Sequence, residues 1–383
     1  MNPRRVGVNL LWLVPGVVGG SEDYSVGLLQ AFARHAAEHP DLEVTLFVNR
    51  RFPDAHPHLA ASLPTVVAPV DGADKTVRVA AEWTWLPWEL RRRGIELAHH
   101  LGGTMPLVGG CPGIVTVHDL QPLTMGEHFS RVKRAYLRAT VGPSVRRALW
   151  VTTLSRWVAT DVVRRCRVDP GRMVLLPAGA PQPVVVPAAR LAEVRTRYGL
   201  DGDPYVLYPA ITYPHKNHVT LLRALALVRA RGGELRAVLT GGAGPAEATV
   251  RAEIDRLGLQ GIVCRPGRVP LADLTALYAG ATAVTLPSRY EGFNLPVLEA
   301  MGAGCPVLAS RVTALPEVVD DAGVLLDPDD PVAWAEAMVA MTRPDERARW
   351  SALARARAAR FSWDASADAL AELYRRPLGG RGR

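Results

Sequence analysis

Short apolar runs that read as strands alternate with amphipathic helical segments along almost the whole of this sequence. RVGVNLLWLV, EVTLFVN, GIVTVHD and WVTTLS fall in the first half, and YVLYPA, RAVLTGG, IVCRPG, AVTLPS and PVLAS in the second. EDYSVGLLQAFARHA and HVTLLRALALVRARG are two of the helical patterns between them. Such alternation is satisfied by α/β architecture, a parallel sheet with crossover helices on both faces. One sheet does not easily absorb so many strands, so the expectation is two Rossmann-like doubly wound domains with a cleft between them. A length of 383 residues fits two domains. The proline-rich stretch LLPAGAPQPVVVPAARL separates the halves. The expected division is a first domain over 1–183 and a second over 184–361. A C-terminal helix over 362–378 is expected to pack back on the first domain, with Ser362 as its N-cap ahead of Asp364.

Composition narrows the class. Hydrophobic residues make up 48% of the chain and charged residues 21%, which suits a globular protein with ample core. The start MNPRRVGVNLLWLVPGVVGG is basic and then apolar, as a secretion signal is. Asn9 breaks the run, no A-x-A site follows, and a glycine loop and helix come next, so it reads as a first buried strand. No run approaches the ~20 apolar residues of a membrane span. Cys111, Cys166, Cys264 and Cys305 lie far apart without a CxxC pair, which points to reduced thiols in a cytoplasmic protein. The net charge of +8 is uneven. Residues 1–183 hold 21 Lys and Arg against 15 Asp and Glu, a net +6; the remainder holds 24 against 22, a net +2. This excess is too mild and scattered for nucleic acid. It suits the anionic inner face of a membrane, touched peripherally, or a phosphate-bearing acceptor. Only Lys75, Lys133 and Lys216 of the 45 basic residues are lysine, which singles out Lys216 for attention.

In doubly wound folds ligands gather at the carboxyl ends of strands, so the residues that follow each strand matter most. After the first strand, Gly16, Gly19 and Gly20 permit tight turns ahead of a helix starting at about Ser21. Its backbone amides and dipole favour an anion. This is not the GxGxxG dinucleotide fingerprint, and no strand is followed by one with an acidic residue ~20 positions on, which removes support for a dinucleotide-dependent oxidoreductase. His118 and Asp119 end VTVHD, either facing a cleft or capping the next element. Lys216 precedes a periodic helix whose N-cap is Asn217 or His218. A cation is poorly placed beside a helix N-terminus, and an anionic ligand there would remove the conflict. Gly241, Gly242 and Gly244 either shape a nucleotide pocket or form a turn. DPDD at 327–330 resembles a metal cluster, but Pro331 and a helix follow Asp330, so N-capping explains it better.

The segment SRYEGFNLPVLEAMGAG, residues 288–304, carries Glu291 and Glu299 on either side of Pro296. Proline is accepted in the first turn of a helix and not in its interior. With Asn294 as N-cap the helix starts at Leu295 or Pro296, so Glu291 is a loop carboxylate and Glu299 a helix carboxylate. Both can reach a ligand lying across the helix N-terminus, with GFN offering backbone amides between them. Carboxylates suit sugar hydroxyls, which present paired donors.

SRYEGFNLPVLEAMGAGCPVLAS, together with PHKN, VHDL and the early GG, resembles the retaining GT-B glycosyltransferases of family 4, from the first strand to about Pro328. The resemblance implies a hexosyltransferase that uses a nucleotide-diphosphate sugar, by preference GDP-mannose, with no cofactor and no metal. It implies that Glu291 holds hexose hydroxyls and Glu299 the ribose. Gly292, Phe293, Asn294 and Leu295 would approach the hexose and diphosphate. Lys216 would neutralise the diphosphate with help from Gly19 and Gly20, Gly241 would border the donor, and His118 would lie near the transferred sugar. Many members carry an arginine six residues before the lysine; here that position is Ala210, and His215 stands where another arginine is sometimes found. Arg289 is the expected substitute.

Breaking the sugar–phosphate bond leaves negative charge on the diphosphate, which Lys216 and a helix N-terminus would stabilise. With Glu291 assigned to hydroxyl binding, front-face attack is favoured over a covalent intermediate. The acceptor, a glycan, a lipid-linked sugar or a small molecule, is less legible. Arg131, Lys133, Arg134, Arg138, Arg146 and Arg147 form either a lipid-docking surface or an ordinary solvated face. Trp83, Trp85 and Trp88 either stack on an acceptor or pack in a core. The alternatives to a transferase are a nucleotide-sugar epimerase of the same shape and a non-catalytic sugar-nucleotide-binding subunit.

Overall fold

The computed structural model describes residues 2–106, 111–125, 131–200 and 202–378. It contains two compact units. The first comprises Met1–Gly179 and Ser362–Arg383, and the second Ala180–Phe361. The chain therefore leaves the first unit, builds the second, and returns.

The first unit holds a parallel sheet of β1 (Arg4–Leu10), β2 (Leu42–Val48), β3 (Thr65–Val67), β4 (Leu97–His100), β5 (Gly113–Val117), β6 (Trp150–Thr153) and β7 (Met173–Leu175). Their order is β3-β2-β1-β4-β5-β6-β7. In β1 the five residues from Val6 to Leu10 are all buried, because helices cover both faces and leave no solvent side to alternate with. β4 reads LAHH and carries two polar side chains into the core. His99 bonds Tyr374 Oη at 2.9 Å and Thr116 Oγ1 at 2.8 Å, and His100 lies 3.3 Å from Asn9. Burial pushes the His99 pKa down to about 3 and that of His100 to about 4, so both rings are neutral packing groups.

The C-terminal helix Trp363–Arg375 completes this unit. Ser362 caps it by accepting from the Ala365 amide at 3.2 Å. It packs on the helix Gly20–Arg34, where Trp363 lies so near Gly27 that an added Cβ would sit 2.7 Å from the indole. Tyr24 faces Trp363 at 5.9 Å between ring centroids.

The second unit holds β8 (Tyr205–Pro209), β9 (Arg236–Thr240), β10 (Val263–Gly267), β11 (Ala283–Leu286), β12 (Val307–Ser310) and β13 (Val324–Leu326), in the order β10-β9-β8-β11-β12-β13. Every pairing in both sheets is parallel. The connections reverse direction between β1 and β4 in the first sheet and between β8 and β11 in the second. A crevice opens at such a switch point, at the carboxyl ends of the strands.

Candidate active site

The chain leaves β8 through a short 3-10 turn, Pro214–Lys216, and leaves β11 through the loop ahead of the helix Leu295–Gly302. Both segments border the β8/β11 switch point. There Lys216 Nζ donates to Glu291 Oε1 at 2.7 Å, with the two side chains 21% and 9% exposed. The Lys216 carbonyl accepts from Tyr208 Oη at 2.5 Å, and burial keeps that phenol protonated by lifting its pKa well above the usual range. Glu291 is fixed through its backbone. Its amide donates to Thr313 Oγ1 at 2.9 Å, and its carbonyl accepts from Ala314 at 3.3 Å. Thr313 makes this clamp at φ +51°, a costly conformation for a β-branched residue.

Glu299 lies on the helix Leu295–Gly302, with Leu295 and Pro296 in its first turn. Its Oε2 accepts from Tyr278 Oη at 2.6 Å. The glutamates thus sit in loop and helix as the position of Pro296 indicates. Asn294 and Asn217 hold the N-cap positions of their helices, as expected, although neither side chain makes a capping hydrogen bond. Both backbones are left-handed, at φ 82° and 55°, whereas a capping side chain needs the extended region to reach the helix amides. Asn217 instead donates to the Pro328 carbonyl at 2.8 Å, while the buried side-chain atoms of Asn294 have no hydrogen-bond partner. Gly292 and Phe293 are buried, and the Phe293 ring meets Phe361 edge-on at 5.9 Å. Arg289 is tied to Asp329 through its guanidinium, a pair that has to open before Arg289 meets a phosphate.

Gly241 follows β9 at φ +115°, and a Cβ there would lie 2.6 Å from the Ala210 carbonyl carbon and oxygen. Only glycine lets these two strand-end loops approach so closely. Thr212 joins them further: its hydroxyl accepts from the Gly244 amide at 2.7 Å and donates to Glu247 at 3.0 Å. Arg265 grips the same carboxylate and is the first cause of its pKa of about 2. The sequence points to the glycines but carries no signal for Thr212, Glu247 or Arg265, nor for Tyr278 or Thr313, because their partners are distant in the chain. Asp330 caps the helix Pro331–Ala340 by accepting from Val332 and Ala333. Among the described residues no three His, Cys, Asp or Glu side chains converge as a metal would require.

In the first unit Gly16 and Gly19 take φ of 72° and 68°, and the helix begins at Gly20, one residue before the expected start. Glu22 folds the glycine loop down. Its carboxylate accepts from the Gly16 amide at 2.8 Å and bonds His56 at 2.9 Å. His118 Nε2 donates to the Leu101 carbonyl at 2.8 Å, beside Tyr24 and Trp12. Burial pushes its pKa down to about 4, so the ring is neutral and its Nδ1 is an acceptor. Asp119 accepts from the Gln121 amide at 2.8 Å, an Asx turn that leads into the short helix Gln121–Thr124, whose N-cap position is Leu120.

The basic segment forms the helix Arg131–Arg147. Residues 127–130, which precede it, and the Lys133 side chain lie outside the described residues. Arg146 and Arg147 bond the carbonyls of Cys166 and Pro106, whereas Arg131 and Arg138 are exposed. Trp85 is half-buried and packs against the core beside Phe47, Trp83 is half-buried, and Trp88 is exposed beneath Arg92. Among the described residues no helix is long and apolar enough to cross a membrane.

Two family models match this chain: Glycosyltransferase Family 4 over residues 18–181 and Glycosyl transferases group 1 over residues 203–343. The chain is 32% identical over 255 residues to the O-antigen chain mannosyltransferase B of Escherichia coli, covering 66% of this chain and 67% of that protein. It is 34% identical to the D-inositol 3-phosphate glycosyltransferase of Segniliparus rotundus, covering 55% of this chain and 49% of that protein. The chain thus spans about two thirds of the first relative and about half of the second. Among solved structures, Anabaena HepE in complex with UDP-glucose matches with a TM-score of 0.77 at 19% identity, covering 96% of this chain and 98% of that one. That likeness shows the shared GT-B fold.

Proposed function

Because the chain belongs to glycosyltransferase family 4, we propose that it transfers a hexose from a nucleotide-diphosphate sugar to a hydroxyl acceptor with retention of configuration, and that the β8/β11 crevice binds the donor. The observation that carries this reading is the Lys216–Glu291 pair at the switch point, with Glu299 on the adjoining helix. In it, Lys216 and the helix N-terminus meet the diphosphate. Glu291 takes hexose hydroxyls, and Glu299 takes the ribose. Gly292, Phe293, Asn294 and Leu295 line the approach, with Gly241 beyond them. Gly19 and Gly20 offer backbone amides to an anion, and His118 offers a neutral ring acceptor to a sugar hydroxyl.

Charge dictates the chemistry. As the C1–O bond to phosphate breaks, negative charge grows on the leaving oxygen, where an ammonium and helix amides stabilise it most. The acceptor oxygen bonds C1 on the same face, and its proton passes to the departing phosphate. Lys216 and the helix supply the leaving-group stabilisation without a metal, so transfer is expected to persist in EDTA. Mannose from GDP-mannose is our reading of the donor, supported by the 32% identity to a mannosyltransferase.

A thermal-shift screen of GDP-, UDP- and dTDP-sugars, followed by NMR of the product's anomeric centre, tests donor and stereochemistry together. Glu299→Ala and Lys216→Ala are each expected to weaken nucleoside diphosphate binding about tenfold by calorimetry. Normal affinity in both would overturn the site assignment.

A further inference from the structure

Tyr278 lies on the helix Leu271–Gly280 of the second unit and is 3% exposed. Its hydroxyl donates to Glu299 Oε2 at 2.6 Å. Burial, then the neighbouring carboxylate, lifts its pKa well above the usual tyrosine range, so the hydroxyl stays a donor. The helix beneath it is held at two further points. Tyr205 of β8 donates to the Leu277 carbonyl at 2.8 Å. The Asp273 carboxylate, itself 1% exposed, is bonded by Arg190, by Arg197 at 2.8 Å and by Tyr198 Oη at 2.7 Å. Tyr278 therefore presents its hydroxyl from a support that cannot shift without breaking these contacts.

We propose that Tyr278 is a positioning residue that orients the Glu299 carboxylate for the paired hydroxyls of a ribose, and so biases the site towards ribonucleoside over 2′-deoxyribonucleoside diphosphates. The inference rests on the reading of Glu299 as the ribose ligand. Its physical basis is the softness of the last glutamate torsion, which is broad and roughly two-fold. A carboxylate offers about four lone-pair sites on two oxygens. A hydroxyl fixed on one oxygen selects the rotation of the group and aims the remaining sites. A carboxylate so aimed rewards two vicinal hydroxyls, and a ligand lacking one leaves an acceptor poorly satisfied. Without the phenol the carboxylate loses that constraint and discrimination falls.

The test is calorimetric titration of UDP, GDP and their 2′-deoxy analogues into the wild type, Tyr278→Phe, Glu299→Asp and Glu299→Gln. The wild type is expected to favour the ribonucleotides about tenfold. Tyr278→Phe is expected to lower that ratio at least about threefold while deoxynucleotide affinity holds. Glu299→Asp, which withdraws the carboxylate from the phenol and keeps its charge, is expected to do the same and serves as a second route should Tyr278→Phe fold poorly. A purely structural role would weaken both nucleotide classes alike and leave the ratio unmoved. A ratio lowered by Glu299→Gln but not by Tyr278→Phe or Glu299→Asp overturns the role of Tyr278. A ratio unmoved by Glu299→Gln, or no preference in the wild type, overturns the ribose reading itself.

Discussion

Lys216 and Glu291 neutralise each other at 2.7 Å, so on the proposed reading of the site a diphosphate would compete with a carboxylate for the ammonium. Glu291→Gln removes the competitor's charge and keeps its shape. Nucleoside diphosphate affinity is expected to rise about threefold, while transfer falls about a hundredfold as the hexose hydroxyls lose a charged acceptor. Calorimetry and turnover measured on the same variant check both halves. A fall in affinity would show instead that Glu291 chiefly orients Lys216. Much of this locality was legible in the sequence, because Pro296 forces a helix start and so parts a loop glutamate from a helix glutamate. The contact between Lys216 and Glu291 was not, since the two are 75 positions apart and meet only where β8 and β11 adjoin. The N-cap positions of Asn217 and Asn294 were legible, but the missing side-chain cap was not, for a related reason. A residue type suggests a cap, but the left-handed backbone that withdraws it from the helix is not written in the residue type.

Among elements, the helix Leu271–Gly280 shows what holds the second unit's periphery to its sheet. Asp273→Ala would leave Arg190, Arg197 and Tyr198 without their common acceptor. It is expected to destabilise the second unit by about 2 kcal/mol in urea unfolding, because three hydrogen bonds to one buried carboxylate are lost while the half-exposed arginines still reach water. Arg197→Ala should cost about 1 kcal/mol or less, since that side chain is 47% exposed. The βα alternation made both parallel sheets readable, and the central strands β1, β2, β8, β9, β11 and β12 stood out because burial on two faces makes them continuously apolar. β3, β7 and β13 escaped notice as three-residue edge strands, too short to carry a period. β4 escaped because two histidines disguise a core strand; only its hydrogen bonds to Tyr374, Thr116 and Asn9 make that sequence sensible inside.

Across the whole molecule the two units carry different acid sensitivities. In the first, His99 is held down to a pKa of about 3, and His100 and His118 to about 4, all by burial. Their unfolded counterparts titrate near 6.5. As pH falls from about 6.5 towards 4 the unfolded chain takes up protons that the folded unit refuses, so stability present at neutral pH is lost across that window. Glu82 opposes this in part. Burial raises its pKa to about 7, so its protonation favours the folded unit as pH falls. In the second unit burial holds His218 at about 4, while Glu247 and Glu253 are held near 2 by arginine partners and lose their contribution only below about 4.5. Hydrogen exchange at pH 5 and pH 7.5 is expected to show the first unit losing more protection than the second.

The return of the chain to its first unit also has a meaning in time. A ribosome delivers everything the second unit needs once residue 361 has emerged, and that unit can close at once. The first unit, begun earlier, still lacks the indole that covers Gly27 and the phenol that satisfies His99. The first unit thus finishes after the second although it was begun before it, and until Trp363–Arg375 arrives it is the part that chaperones and proteases will find open.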